Sequence, residues 1–302
     1  MLVIGSRGSA LALAQANWVR NRILALFPKQ DISIKIIKTS ADRDTTTSIR
    51  AGSSIGVFVK ELEQALIEKE IDIAVHSMKD LPTDIRAGLK IAAIPEREDA
   101  RDALIAVNAG SIAELPENSR VGTGSVRRQA QLLALHPGLT VLDIRGNVDT
   151  RLRKLHEGSY DAIILACAGL NRLGLQGRIS APIGFEEMLS APGQGALAIE
   201  IRADDNHAES FVRVLNHPPS EVAVMAERVF LQRMGGGCNV PVAAHAFTQQ
   251  GLVEIHGLVA SPDGKKIIRQ SITQKLEAAL DAAIALAEAI QAQGGRAILD
   301  QS

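Results

Sequence analysis

The sequence predicts an α/β protein: two hinged, doubly wound α/β domains followed by a small α+β domain with an antiparallel sheet. Three observations predict it. Short apolar strand segments alternate with segments of helical period through most of the chain, which is the pattern of strand–helix–strand units. A length of 302 residues favours two or more domains. After Asn216-His217-Pro218-Pro219-Ser220 the pattern changes to three consecutive strand-like runs separated by turn residues.

Taken in order, Leu2-Val3-Ile4 forms a strand and Gly5-Ser6-Arg7-Gly8-Ser9 a turn, and Leu11, Ala14, Trp18, Arg22 and Leu26 follow at helical spacing. Ile32, Ile34 and Ile36 alternate as a second strand. Phe58, Leu62, Ala65 and Leu66 mark a helix before a strand over Ile71 to Val75. Such units call for a parallel sheet. A second set follows: strands at Leu104 to Val107 and Arg120-Val121, a helix over Val126 to Leu135, a strand over Thr140 to Ile144, a helix from Arg151 and a strand over Asp161 to Cys167. The charged run Pro95 to Asp102 reads as an exposed crossover, and Ser190 to Gly195 as a second. Leu197 to Ile201 has no helix of its own, so it is expected to return to the first sheet. The domains expected are therefore 1–97 with 194–217, then 98–193, then 218–302. In the last, prolines 218 and 219 stop the preceding helix, and a helix runs from Ser220 to Met234. A meander follows over Val242 to Thr248, Leu252 to Ala260 and Lys266 to Thr273, and an Ala-rich helix from Leu276 closes the chain. Ser40 to Ser54 holds one large apolar residue, Ile49, and reads as a long polar loop.

Composition excludes several function classes. Hydrophobic residues make up 46% and charged residues 22%, which disfavours disorder and rod-like folds. Against 34 acidic residues stand 33 basic ones, so no global field draws the protein to nucleic acid or an anionic membrane. Aromatic content of 3% disfavours base-stacking surfaces. Apolar runs fall short of a membrane span. Ala10 to Ala16 imitates a signal-peptide core, but no cationic segment precedes it and Gly5 to Ser9 interrupts it. With two cysteines and no metal-ligand spacing, a reducing, cytoplasmic setting and no metal are expected.

Chemistry concentrates at strand-to-helix turns. Val121-Gly122-Thr123-Gly124-Ser125-Val126-Arg127-Arg128 offers free backbone N–H groups, hydroxyls and two arginines. The alternative is a capped helix with a solvated basic first turn. Arginine is disfavoured at a helix N-terminus, which tips the reading to anion binding. Arg145 and Arg151 flank Gly146 at the next such turn, and Arg7 and Ser9 occupy the equivalent place in the first domain. Arginines at several strand ends suit a ligand with more than one carboxylate, bound in a common crevice. His76-Ser77-Met78-Lys79-Asp80 ends another strand. Asp80 there is an acid, a base or an electrostatic stabiliser, Lys79 an anion holder or a Schiff-base amine; the bland alternative is an ion pair decorating a turn. Cys167 sits in an apolar run and reads as a buried small hydrophobe. Cys238 follows three glycines on a loop and is a candidate nucleophile or covalent anchor, with an ordinary thiol as the alternative. A hinged receptor for an anion would also explain the arginines, though it leaves Cys238 unexplained.

Val75 to Thr83, Val121 to Gln129, Ile144 to Leu152 and Gly235 to Pro241, in that order, resemble the motifs of the porphobilinogen deaminase (hydroxymethylbilane synthase) family. The resemblance spans the whole chain. It implies a three-domain enzyme whose first two domains are periplasmic-binding-protein-like. Such enzymes join four porphobilinogen molecules head to tail, releasing four ammonia, on a dipyrromethane cofactor held by a thioether to the loop cysteine, here Cys238. The resemblance assigns charge stabilisation to Asp80 as ammonia leaves and an azafulvene forms. It assigns cofactor contacts to Ser77, Lys79, Asp80, Thr123, Ser125, Arg127 and Arg128, and substrate contacts to Arg7, Ser9, Arg145, Arg151, Arg172 and Gln194. It implies a cytoplasmic monomer with porphobilinogen as partner and no nucleic acid, membrane or metal. Two departures stand out: Val3 replaces an arginine common in the family, and Ser53-Ser54-Ile55-Gly56-Val57-Phe58 lacks the loop lysine.

Overall fold

The computed structural model of the chain describes residues 1–37, 54–235 and 240–300, without the side chains of 54–58. By internal contacts it divides into two units, Met1–Arg97 with Ala196–Glu221, and Glu98–Gly195 with Val222–Ser302.

The first unit holds a five-stranded sheet in the order β2-β1-β3-β10-β4. Its strands are β1 (Leu2–Ser6), β2 (Ile32–Ile36), β3 (Ile73–Ser77), β4 (Leu89–Ala93) and β10 (Leu197–Arg202). Strand β1 runs parallel to β2 and β3. Strand β10 runs antiparallel to both β3 and β4, so the sheet is mixed rather than wholly parallel. Alternation along the strands feeds two cores. Leu2, Ile4, Ile73, Val75, Ile199 and Ile201 meet Val19 and Ile23 of α1 (Ala10–Leu26) and Val212 of α6 (Asn206–Val212). On the other face, Ala74 and Ile71 meet Leu62 and Leu66 of α2 (Ser54–Ile67). Burial on both faces explains why these strands read as continuous apolar runs.

The second unit contains a sheet of the same plan, β7-β6-β8-β5-β9. It comprises β5 (Asp102–Ala106), β6 (Arg120–Gly122), β7 (Thr140–Leu142), β8 (Ala162–Ala166) and β9 (Ala181–Ile183). Strand β6 is parallel to β7 and β8, whereas β5 is antiparallel to β8 and β9, again departing from a wholly parallel sheet. Helices α3 (Val126–Leu135), α4 (Val148–His156) and α5 (Cys167–Arg172) cover it. Leu132 of α3 packs with Leu104, Val121 and Ile164; Leu152 and Leu155 of α4 pack with Ala103, Ile163 and Leu165 on the opposite face.

The same unit carries an antiparallel meander of β11 (Val242–Gln249), β12 (Leu252–Ala260) and β13 (Ile267–Lys275). One face, with Ala244, Ala246, Val253 and Ile255, packs on Phe230 of α7 (Pro218–Arg233) and on Leu286 and Ile290 of α8 (Ala279–Ala292). The other face, with Ala243, Leu258 and Ala260, packs on Ala130 of α3 and on Leu189. At Gly264, with φ +71°, a side chain's Cβ would stand 2.4 Å from the Ala130 carbonyl oxygen, so the β12–β13 turn requires glycine to sit against α3. Prolines 218 and 219 do not merely stop the preceding helix. They open α7, in the first turn where an N–H is not needed.

Candidate active site

In the second unit, β6 ends at Gly122 and the turn Thr123-Gly124-Ser125 leads into α3. Thr123 is buried; its N–H donates to the Leu142 carbonyl at 2.9 Å and its hydroxyl accepts from the Ser125 N–H at 3.2 Å. The Ser125 hydroxyl caps α3 by accepting from the Arg128 N–H. Arg127 and Arg128 thus fall in the first turn, where the helix dipole opposes positive charge.

Their counter-charge is Asp102, the first residue of β5 and fully buried. Arg127 Nη2 lies 2.9 Å from Asp102 Oδ2. Arg128 donates to Asp102 Oδ1 from Nη2 at 2.6 Å and from Nε at 3.1 Å, and from Nη1 to the Ile164 carbonyl at 3.0 Å. Arg127 Nη1 donates to the Leu189 carbonyl. Burial alone would raise the Asp102 carboxyl, but Arg127 and Arg128 outweigh it and hold the group well below the usual carboxylate range. Burial also draws the Arg127 guanidinium below its ordinary value, with Asp102 opposing.

Gln194 Nε2 adds a bond to Asp102 Oδ1 at 2.8 Å and another to the Ala100 carbonyl at 2.8 Å. Beside it, Gly193 N–H donates to the buried Glu227 of α7 at 2.6 Å, and Ala246 N–H of β11 donates to the same carboxylate at 2.7 Å. Segment 189–195 is therefore held by two buried carboxylates, one from the β5 sheet and one from the helix beneath the meander. Arg172 Nη2 donates to the Gly195 carbonyl at 2.7 Å, its guanidinium lowered by burial.

The next strand end lies against the first. A Cβ on Gly124 would stand 3.1 Å from Asp143 Oδ1 and 3.2 Å from the Ile144 carbonyl oxygen. Asn147 caps α4 by accepting from Thr150 N–H at 3.0 Å, and Gly146, at φ +114°, makes the bend before it. Arg151 Nε donates to the Gly146 carbonyl at 2.7 Å, and the exposed Arg145 Nε to Asp143 Oδ2 at 2.8 Å. The Arg151 guanidinium is drawn below its ordinary value by burial and by the positive charge of Arg128. Thr123, Ser125, Arg127, Arg128, Arg145 and Arg151 thus share the carboxyl ends of β6 and β7. Four guanidiniums there face two carboxylates, Asp102 and Asp143, and the surplus of positive charge suits an anionic ligand.

In the first unit, Ser9 caps α1 by accepting from Ala12 N–H at 3.3 Å, which leaves Arg7 at the mouth of the β1 turn. Ser77 ends β3 and accepts from the buried Gln15 side chain at 2.8 Å. The 3₁₀ turn Met78–Asp80 is anchored by the fully buried Met78, whose N–H donates to the Ala196 carbonyl at 3.0 Å. Anchored so, the turn leaves Lys79 half-buried and presents Asp80 to solvent. Behind them, His76 Nε2 lies 3.0 Å from Glu200 Oε2, both buried, and burial together with Glu200 raises the Glu63 carboxyl.

Cys167 is buried, as expected, and burial pushes its thiol up to about 12. Cys238 and the loop before Ser54 lie outside the described residues. Asp102 overturns the reading of Pro95 to Asp102 as an exposed crossover: the run ends buried inside the sheet. Its signal in the sequence was indirect, since two arginines in a helix's first turn require a nearby carboxylate. Glu227 and Gln15 left no such signal.

Comparison with known proteins gives these positions a context. The family model described as "Porphobilinogen deaminase, dipyromethane cofactor binding domain" matches residues 2–210, and "Porphobilinogen deaminase, C-terminal domain" matches 222–292. A porphobilinogen deaminase of Thermus thermophilus is 47% identical over 302 residues, covering 100% of this chain and 99% of the relative. One from Pelobacter propionicus is 45% identical over 300 residues, covering 99% and 96%. Among solved structures, a putative methionine-binding lipoprotein of Bacillus subtilis aligns with 72% of this chain and 90% of its own at 12% identity and a TM-score of 0.44. With both family models and full-length relatives agreeing, the chain belongs to the porphobilinogen deaminase family.

Proposed function

We propose that this chain joins four porphobilinogen molecules into hydroxymethylbilane, with release of four ammonia, on a dipyrromethane group bound by thioether to Cys238. The observation that supports it best is the excess of guanidinium over carboxylate at the β6 and β7 ends, where burial and then the charge of Arg128 lower Arg151. Each porphobilinogen carries an acetate and a propionate, and each dipyrromethane therefore carries four carboxylates, the partners such a surplus fits. When bound, the dipyrromethane supplies a pyrrole terminus that is extended and retained.

The chain's own residues then divide the work. Arg127, Arg128, Thr123 and Ser125, with Lys79 and Ser77, hold the carboxylates of the dipyrromethane. Arg7, Ser9, Arg145, Arg151, Arg172 and Gln194 serve the substrate and the growing chain. Asp80, on a turn pinned by Met78, accepts hydrogen bonds from pyrrole N–H groups and offsets the positive charge that develops as ammonia departs. The division into domains 1–97 with 194–217, 98–193 and 218–302, a monomeric state and a cytoplasmic location belong to the same reading.

The denatured intact mass tests it. Active protein should exceed its sequence mass by a covalently bound dipyrrole, and Cys238→Ser should remove the excess. Active protein at the bare sequence mass overturns the assignment.

A further inference from the structure

We propose that Asp102 is the positioning residue of the arginine pair: one buried carboxylate, shared by Arg127, Arg128 and Gln194, aims both guanidiniums and holds them in place before the dipyrromethane binds. This rests on the reading that Arg127 and Arg128 hold that group.

Geometry and charge carry the argument. The two arginines are adjacent in sequence, both buried, and begin a helix whose dipole opposes them. Left alone, they would repel each other and turn toward water. Asp102 takes one oxygen to each: Oδ2 to Arg127 Nη2 at 2.9 Å, Oδ1 to Arg128 Nη2 at 2.6 Å and Nε at 3.1 Å. The Ile164 and Leu189 carbonyls fix a further nitrogen on each guanidinium. A guanidinium has five N–H donors, so both arginines keep donors for a ligand. One carboxylate between two guanidiniums also leaves a net positive charge, so the clamp orients the pair without cancelling its attraction for anions. Gln194 bonds Asp102 Oδ1 from segment 189–195, which the meander touches through the Ser190 hydroxyl and the Ala244 carbonyl. The aim of the pair is thereby tied to β11 of the meander.

The test compares wild type, Asp102→Asn and Asp102→Glu, each produced identically with porphobilinogen supplied, by denatured intact mass, circular dichroism, and kcat and KM for porphobilinogen. Asparagine keeps the shape and loses the charge; glutamate keeps the charge and shifts it by a methylene. For folded Asp102→Asn the fraction carrying the dipyrrole should fall at least about tenfold, as expected when one partner of a buried charge pair is removed. Asp102→Glu should recover part of it, and its loaded fraction should keep wild-type kcat with a raised KM. Folded Asp102→Asn with wild-type occupancy overturns the proposal. If Asp102→Asn does not fold, Asp102→Glu decides: reduced occupancy supports the positioning role, and wild-type occupancy and KM overturn it. Bare mass in active wild type instead overturns the primer assignment, and the role of Asp102 toward it falls with it.

Discussion

In the first unit the antiparallel strand β10 lies beside β3 and sends Glu200 to His76; in the second, β5 lies beside β8 and sends Asp102 to Arg127 and Arg128. The strand plans match, β2-β1-β3-β10-β4 against β7-β6-β8-β5-β9, and in both a buried carboxylate on the intruding strand stands behind the carboxyl ends of the parallel strands. The partners differ in kind. Histidine can surrender its charge and arginine cannot, so the first unit's pair is optional in charge while the second's is compulsory. The same scaffold thus backs a turn bearing the exposed Asp80 in one unit and a cluster of guanidiniums in the other.

Breaking the compulsory pair should have the largest effect. Asp102→Ala leaves two buried guanidiniums without a counter-charge and should destabilise the protein by roughly 3–5 kcal/mol, read from urea midpoints. A loss below about 1 kcal/mol would show that the two nodes are not different in kind. Next, Asp80→Asn should retain porphobilinogen binding while kcat falls about 10²–10³-fold, because an amide cannot offset developing positive charge. Near wild-type ammonia release would remove Asp80 from the chemistry. Glu200→Gln, which keeps a hydrogen bond to His76, should destabilise by only about 1–2 kcal/mol, well below Asp102→Ala.

The smallest effect sharpens the comparison through pH. The Asp102 carboxyl is depressed in the folded state, so its stabilisation is complete above the unfolded value, near 3.9, and disappears as pH falls toward the folded one. Glu63 is raised, so its contribution has the opposite sign: favourable below the unfolded value and lost as pH rises through the folded one. Glu63→Gln should therefore stabilise slightly at pH 7, by under about 1 kcal/mol, with the gain vanishing in mild acid. Thermal melts at several pH values read both signs.

Much of this architecture was legible in the sequence, and the omissions have physical causes. The turns at Gly122 to Ser125 and at Arg145 to Asn147 were readable because glycine and a capping residue mark where a strand becomes a helix. Strand direction was not: β5 and β10 are covered on both faces and read as apolar runs whether parallel or antiparallel. Strand β9 escaped because it is three residues long and contains Pro182, tolerable only at a sheet edge. Asp102 was hidden because a charge run reads as solvated until its long-range partners, Arg127 and Arg128, are known. The proposed ligand contacts lie in motifs with recognisable local chemistry, whereas Gln15, Glu200 and Glu227 bond to other protein groups far away in sequence and left no local pattern.

The insertion of β10 between β3 and β4 bears on the order in which the chain can fold during synthesis. The sheet of the first unit lacks an inner strand until residue 202 has been made, although its other four strands end at Ala93. The sheet of the second unit needs only Asp102 to Ile183. The half that emerges later from the ribosome can therefore close its sheet first, and a nascent chain halted before Leu197 exposes two unpaired strand edges, inviting association with its neighbours.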